Sequence, residues 1–187
     1  CVKRLEANIG FLGVALLVAL IPEPARSAEP IVVNVANPKT ELGFHVDYLE
    51  DEGGSLSLDD VLKPEVRERF TQSEVAVPSF GFTNSSYWFS FQLINQGRKP
   101  TDRLLQLSYH FLDWVDVYLV HADGEVQEFK TGDNLPFGHR PLNHRTFVFP
   151  VELSAQSSVQ VFIRVQTSGN VQMPLFLWEK DAFYEES

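Results

Sequence analysis

The sequence predicts an all-β fold, a β-sandwich, and three observations carry that prediction. The first is strict alternation within residues 84–120, NSSYWFSFQLINQGRKPTDRLLQLSYHFLDWVDVYLV. Tyr87, Phe89, Phe91 and Leu93 fall on one face of a strand, and Trp88, Ser90 and Gln92 on the other. A second strand sets Leu105, Leu107, Tyr109 and Phe111 against Gln106, Ser108 and His110. A third sets Val115, Val117 and Leu119 against Trp114, Asp116 and Tyr118. Side chains alternate faces along a strand, so period two makes one oily face and one mixed face. The second observation is spacing: about eight or nine such segments follow one another with turn residues roughly every ten positions. The third is composition. Fifteen phenylalanines, five tyrosines and three tryptophans suit a pleated, half-buried surface.

The elements follow in order. Residues 31–35 (IVVNV) are β-branched and read as a first strand. Residues 44–49 read as a second, with Phe44, Val46 and Tyr48 on one side. Residues 51–54 (DEGG) turn the chain, with glycines able to take a positive φ. Residues 57–70, SLDDVLKPEVRERF, are the one helical segment. Ser57 can cap it, and Asp59 and Asp60 lie in the first turn, where the helix dipole favours negative charge. Pro64 interrupts the pattern, so two short pieces are expected, 57–62 and 64–69.

Residues 95–102 (NQGRKPTD) form a loop, and HADG at 121–124 is a tight hairpin turn into a strand over 124–129. Residues 131–144, TGDNLPFGHRPLNH, make a long loop. Strands follow at 146–151, at 159–166 and at 171–178. In the second of these Val159, Val161, Ile163 and Val165 point inward, and Gln160, Phe162, Arg164 and Gln166 outward.

The N-terminus reads separately. Lys3 and Arg4 precede an apolar run over residues 9–21. As a helix that run spans roughly 20 Å, short of the ~30 Å hydrocarbon core. Residues 1–28 are therefore expected to be a secretory signal peptide, with an N-terminal anchor as the alternative, and residues 29–187 the exported domain. Ala25, Ser27 and Ala28 supply small residues for cleavage, although Arg26 is unfavourable three residues before a cut after Ala28.

Without Lys3, Arg4, Arg26, Glu6 and Glu23 the chain keeps 12 basic and 23 acidic residues, a formal net charge of −11. Such a field repels nucleic acid. Cys1 is the only cysteine, so the exported part has no disulfide and no thiol chemistry. There is no GxSxG elbow, phosphate-binding loop or HExxH, and no enzymatic activity is expected. His139 and His144 interleave with Arg140 and Arg145, which disfavours a cation, and Glu50–Asp51–Glu52 lacks calcium-loop spacing. Neither a metal nor a cofactor is expected.

A family resemblance rests on motifs in a fixed order: Trp88, Phe91 and Asn95 in YWFSFQLIN; LLQLSYHFLDWVDVYLV; Gly132, Asp133, Pro136, Phe137 and Arg140 in GDNLPFGHR; FVFPVEL; and VFIRVQTSGNVQMPLFLW. Over about residues 31–180 the chain resembles the periplasmic sensor domain, extracellular type 2, of bacterial seven-transmembrane receptors with diverse intracellular signalling modules. The resemblance implies a jelly-roll sandwich like that of carbohydrate-binding modules. It also implies a place outside the inner membrane, ahead of a membrane region and a histidine kinase or diguanylate cyclase output. Trp114 departs from the polar or charged residue of many relatives, which marks either a ligand preference or a local packing change.

The expected function is ligand sensing, with a small polar ligand such as a carbohydrate or a carboxylate. Sugars bind where an aromatic ring meets the sugar's CH face and neighbouring polar groups reach its hydroxyls. Trp88 and His110 belong to such a mixed face, and Arg164 joins if its strand shares the sheet. Arg140 offers a fork for a carboxylate, Asp133 an acceptor, and Trp114 an outward aromatic. The structural alternative for Asp133 and Arg140 is an internal pair that holds their loop. The alternative function is a protein-interaction or dimerisation module using outward aromatics or a sheet edge.

Overall fold

The computed structural model describes residues 28–33 and 37–186. All of the expected signal peptide except Ala28, and the end of the strand expected at 31–35, lie outside the described residues. Two sheets face one another. The larger runs in the order β4 (Thr71–Gln72), β3 (Asp47–Asp51), β6 (Ser86–Asn95), β11 (Ser157–Gln166), β8 (Trp114–His121) and β9 (Val126–Thr131), with β1 (Ile31–Val32) parallel to the end of β6. The smaller runs β10 (Phe147–Leu153), β7 (Thr101–Leu107), β13 (Leu175–Glu179) and β2 (Lys39–Glu41). A short pair, β5 (Ser79–Phe82) and β12 (Asn170–Gln172), stands apart from both.

Period two in the sequence becomes two inward faces. Phe89, Leu93, Val117, Leu119, Val161 and Ile163 from the larger sheet meet Leu105, Leu107, Phe149 and Val151 from the smaller. All of these are buried, and burial of apolar area is what holds two such layers together.

Each outer face is partly covered. On the larger sheet the cover is α1 (Leu58–Val61) and α2 (Pro64–Arg67). Ser57 caps α1, its hydroxyl accepting from the Asp60 amide while the Asp60 carboxylate accepts from the Ser57 amide. Pro64 opens α2 as its first residue, where its missing N–H costs nothing. Val61, Phe70 and the half-buried Leu58 and Val66 pack against Leu49, Trp88 and Phe162. On the smaller sheet the cover is α3 (Lys180–Glu186), whose Phe183 packs on Leu104, Val148 and Trp178.

The structure corrects several expectations. The strand expected at 44–49 starts at Asp47, because Gly43–His45 forms a 3-10 turn. β7 ends at Leu107, so Tyr109, His110 and Phe111 lie in a loop. The Ser108 N–H turns to the Pro174 carbonyl, and the chain then crosses to the larger sheet. The strand expected at 171–178 is two strands, broken at Met173 and Pro174. The helical segment near 57–69 is not the only one described: α3 follows β13, beyond the last element read from the sequence.

Candidate functional site

Consecutive strands β6 and β7 belong to different sheets. The mixed face expected from Trp88, Ser90, Gln92, Gln106, Ser108 and His110 is therefore divided in two. Trp88 is 0% exposed, stacked on Tyr118 with centroids 5.9 Å apart, beneath α1 and α2. Arg164 shares its sheet and is its register partner. The guanidinium is bound internally, donating to the Gly54 carbonyl at 3.1 Å and the Ser86 hydroxyl at 3.3 Å. It also pairs with Asp116 at 3.4 Å. Burial pushes the Asp116 carboxyl above its usual range, and Arg164 pulls it back only in part.

Three further expected residues stand at one end of the sandwich. His110 lies tilted against Phe111 in the loop after β7, Trp114 begins β8, and Asp133 lies just past β9. The Asp133 N–H donates to the Leu112 carbonyl at 2.8 Å. Exposed aromatics ring the β11–β12 connection there: Phe82 is 84% exposed, Phe111 57% and Trp114 42%. Thr167 donates to the Phe111 carbonyl, and Phe82 pairs with Asn170 across β5 and β12.

Arg140, the sixth expected residue, has a different role from the expected tie to Asp133. Its guanidinium donates to the carbonyls of His144 at 2.9 Å and Arg145 at 2.6 Å. It lies over the rings of Phe137 and Phe147, 4.8 Å from each centroid. Arg140 thereby fixes the segment that carries His144 and Arg145.

That segment walls a groove of about 190 Å³ on the outer face of the smaller sheet. Alternation along β7 and β13 turns Leu105, Leu107, Leu175 and Leu177 inward and sends Gln106, Phe176 and Trp178 outward to form its floor. The floor is fixed by a chain of hydrogen bonds. Trp178 Nε1 donates to Gln106 Oε1 at 2.8 Å, and Gln106 Nε2 donates to Thr146 Oγ1 at 3.0 Å. His144 Nδ1 lies 2.9 Å from Thr146 Oγ1 and accepts the Thr146 N–H at 3.1 Å. An accepting Nδ1 places the ring hydrogen of neutral His144 on Nε2. Lys39 closes the rim, its ammonium 4.3 Å from the Trp178 ring centroid and 3.2 Å from the Glu186 carboxylate of α3. Ser108 and Arg145 complete the wall.

A wider hollow of about 570 Å³ lies beside Val32, Val33 and residues 95–103. Its lining holds no aromatic residue, and its Arg103 guanidinium is engaged by Thr101 Oγ1 and the Asp102 carbonyl. The smaller groove is the better candidate of the two, because aromatic, amide and cationic groups converge in it.

Burial, with Arg145 and Arg140 nearby, pushes the His144 pKa below its usual value. A folded value below the unfolded one means that the unfolded state takes up the proton first as pH falls. The stability is therefore present above the unfolded value of about 6.5 and lost as pH falls through it toward the folded value. The thermal midpoint should fall more between about pH 8 and about pH 5 in the wild type than in His144→Gln. Parallel profiles would show that this ring stays unprotonated or is uncoupled from folding.

Among the described residues no three His, Cys, Asp or Glu side chains are grouped to hold a metal ion. No helix there is long and apolar enough to cross a membrane.

The fold and the groove define a β-sandwich module with helical covers on both outer faces. The chain belongs to the family described as 7TMR-DISM extracellular 2, whose model matches residues 43–179. It is thus an extracytoplasmic sensor domain of the seven-transmembrane receptor class. No curated protein matches the chain.

Among solved structures it is similar to a Cry1Da tryptic core variant of Bacillus thuringiensis, at 13% identity and a TM-score of 0.34, over 55% of this chain and 20% of that one. The chain therefore spans about one fifth of the length of that protein. It is also similar to CsCBM6-3 of Clostridium stercorarium, solved in complex with cellobiose, at 12% identity and a TM-score of 0.25, over 71% of this chain and 92% of that one.

Proposed function

We propose that this domain senses a small polar ligand bearing a carboxylate, such as a uronic acid or a dicarboxylate, in the groove of the smaller sheet. One observation carries the reading. In a chain of formal net charge −10, the groove gathers Lys39 and Arg145, with Arg140 behind them, and its cation at the rim already holds a carboxylate, that of Glu186. A ligand carboxylate would exchange with Glu186 on Lys39. Ser108 and the Nε2–H of His144 would serve its hydroxyls. A neutral sugar is the weaker candidate, because Trp178 is covered by Phe183 and Lys39 and offers no open ring face.

Exchange at Glu186 gives the ligand a preference for one pose of α3, the differential affinity that shifting a population requires. The signal would then pass to the membrane region of the same receptor and on to a histidine kinase or diguanylate cyclase.

The test is a thermal-shift titration with glucuronate, galacturonate, succinate and glucose. A ligand at about 100 times its dissociation constant adds roughly 2.7 kcal/mol, about 5–10 °C at this size. Saturable shifts should appear with the acids, vanish in Lys39→Ala and Arg145→Ala, and weaken in Arg140→Ala, which loosens the groove wall. Acid binding that survives both groove variants would place the site elsewhere.

The alternative reading is a docking module, favoured by the exposed Phe82, Phe111 and Trp114 at the sandwich end. A flat titration with concentration-dependent association would transfer the function to that surface.

A further inference from the structure

The first described residue is already part of the folded domain. The Ala28 N–H donates to Asp47 Oδ1 at 2.9 Å. Asp47 is only 6% exposed and sits on β3 opposite Ser90. Ser90 is itself engaged by Arg67 Nη1 and by Gln160 Nε2, each at 2.7 Å. The positive charge near the Asp47 carboxylate comes from Arg67, and burial still raises its pKa against that charge and the Ala28 hydrogen bond. A buried carboxylate in this state is short of compensating charge.

The sequence immediately before it reads Ala25–Arg26–Ser27. Small residues therefore stand one and three positions before the Ser27–Ala28 bond, beyond the apolar run of residues 9–21 and the basic Lys3 and Arg4. That is the small–x–small arrangement of a signal-peptide cleavage site. The bond one residue later would place Arg26 at the third position instead.

We propose that the chain is cut between Ser27 and Ala28, and that the α-ammonium group freed on Ala28 becomes the buried ion-pair partner of Asp47. The inference rests on the export reading of the N-terminus and is independent of the ligand groove.

In the step, a signal peptidase hydrolyses the peptide bond. Water adds its oxygen to the Ser27 carbonyl carbon, the C–N bond breaks, and both protons of that water end on the Ala28 nitrogen beside its own hydrogen. Ser27 leaves as a carboxylate and Ala28 remains as an ammonium, since α-amino groups titrate near pH 8. A neutral amide hydrogen bond to Asp47 becomes a charge-assisted one. Cleavage one residue later would remove the nitrogen that Asp47 holds. The processed chain thus carries a stabilising ion pair that the precursor lacks.

The experiment is export of the whole chain in a Gram-negative host, then intact mass and N-terminal sequencing of the recovered protein. The expected first residue is Ala28. A chain starting at Glu29 overturns the cleavage site, and an uncut chain overturns processing altogether in favour of the N-terminal anchor.

The ion pair is read separately, from the thermal midpoint of the recovered protein before and after selective acetylation of its α-amine. Acetylation should lower the midpoint by a few degrees in the wild type and leave Asp47→Asn unchanged. Equal loss in both proteins, or none in either, would overturn the pairing.

Discussion

Replacing Trp88 by alanine lowers the unfolding free energy by about 3–5 kcal/mol, the cost of emptying a large fully buried site. At this chain length that is a fall in thermal midpoint on the order of 10 °C. The ring fills the layer between β6 and the α1–α2 cover, against Leu49, Val61, Phe70 and Phe162. Truncation removes those contacts and the stacking on Tyr118. Trp88→Phe provides the control. The indole Nε1–H is buried and has no hydrogen-bond partner among the described residues, so phenylalanine keeps most of the apolar contact and deletes an unsatisfied donor. Its cost should be a small fraction of that of alanine. Denaturant melts of the three proteins check this. If Trp88→Ala leaves the midpoint in place and abolishes binding of a ligand, the helical cover opens in solution and Trp88 belongs to a site after all.

The same residue shows what can be read from this sequence and what cannot. Period two assigned the faces of β6, β8 and β11 correctly, because alternation is a local property of an extended chain. The helical cover was also legible, from the Ser57 cap and from Pro64. What it covers was not. Val61, Val66 and Phe70 say only that one side of the segment is apolar. Sheet membership is equally hidden. β6 and β7 follow one another across a short turn tied by Asn95, whose side chain donates to the Lys99 and Ser154 carbonyls and accepts from the Gly97 amide. That turn carries the chain into the other sheet, so Gln106 meets Trp178 and Thr146 and never meets Trp88.

For the groove, the sequence supplied Gln106 and Ser108 with the wrong neighbours and offered Arg140 as a ligand contact. His144, Arg145, Lys39, Phe176 and Trp178 come from three separate segments, and β7 adds Gln106 and Ser108. No spacing in the chain links them. They converge only once β2, β13, β7 and the segment before β10 lie side by side. The continuation of alternation through Tyr109 and Phe111 misled for a related reason. A pattern of side chains does not reveal where the backbone leaves the ladder.

Gly132→Ala is expected to be the most damaging single change at the sandwich end. Gly132 is buried and has a φ of 144°, in the region that L side chains avoid. A Cβ built there lies 2.1 Å from the Asp113 carbonyl oxygen and 2.8 Å from Trp114 Cα. Both obstacles are backbone, so no rotamer change can relieve them. The neighbouring contacts are made by the same two segments: Asp133 N–H to the Leu112 carbonyl, and Asn134 N–H to the Asp113 carbonyl at 3.2 Å. Moving 132–134 away breaks both bonds and uncovers Leu112, which is fully buried. Backbone strain of about 1–3 kcal/mol and two lost hydrogen bonds of about 1 kcal/mol each together predict a loss of roughly 3–5 kcal/mol. Amide hydrogen exchange distinguishes this from a general weakening. Residues 112–114 and 133–134 should lose protection first, while the centres of β6 and β11 follow only the global change. Gly124→Ala provides the comparison. It also has a positive φ, 90°, but nothing lies within 4 Å of its added Cβ. It should cost only the conformational strain. If the two substitutions cost the same, the close approach of Gly132 to Asp113 contributes nothing, and the sandwich end has room that its geometry denies.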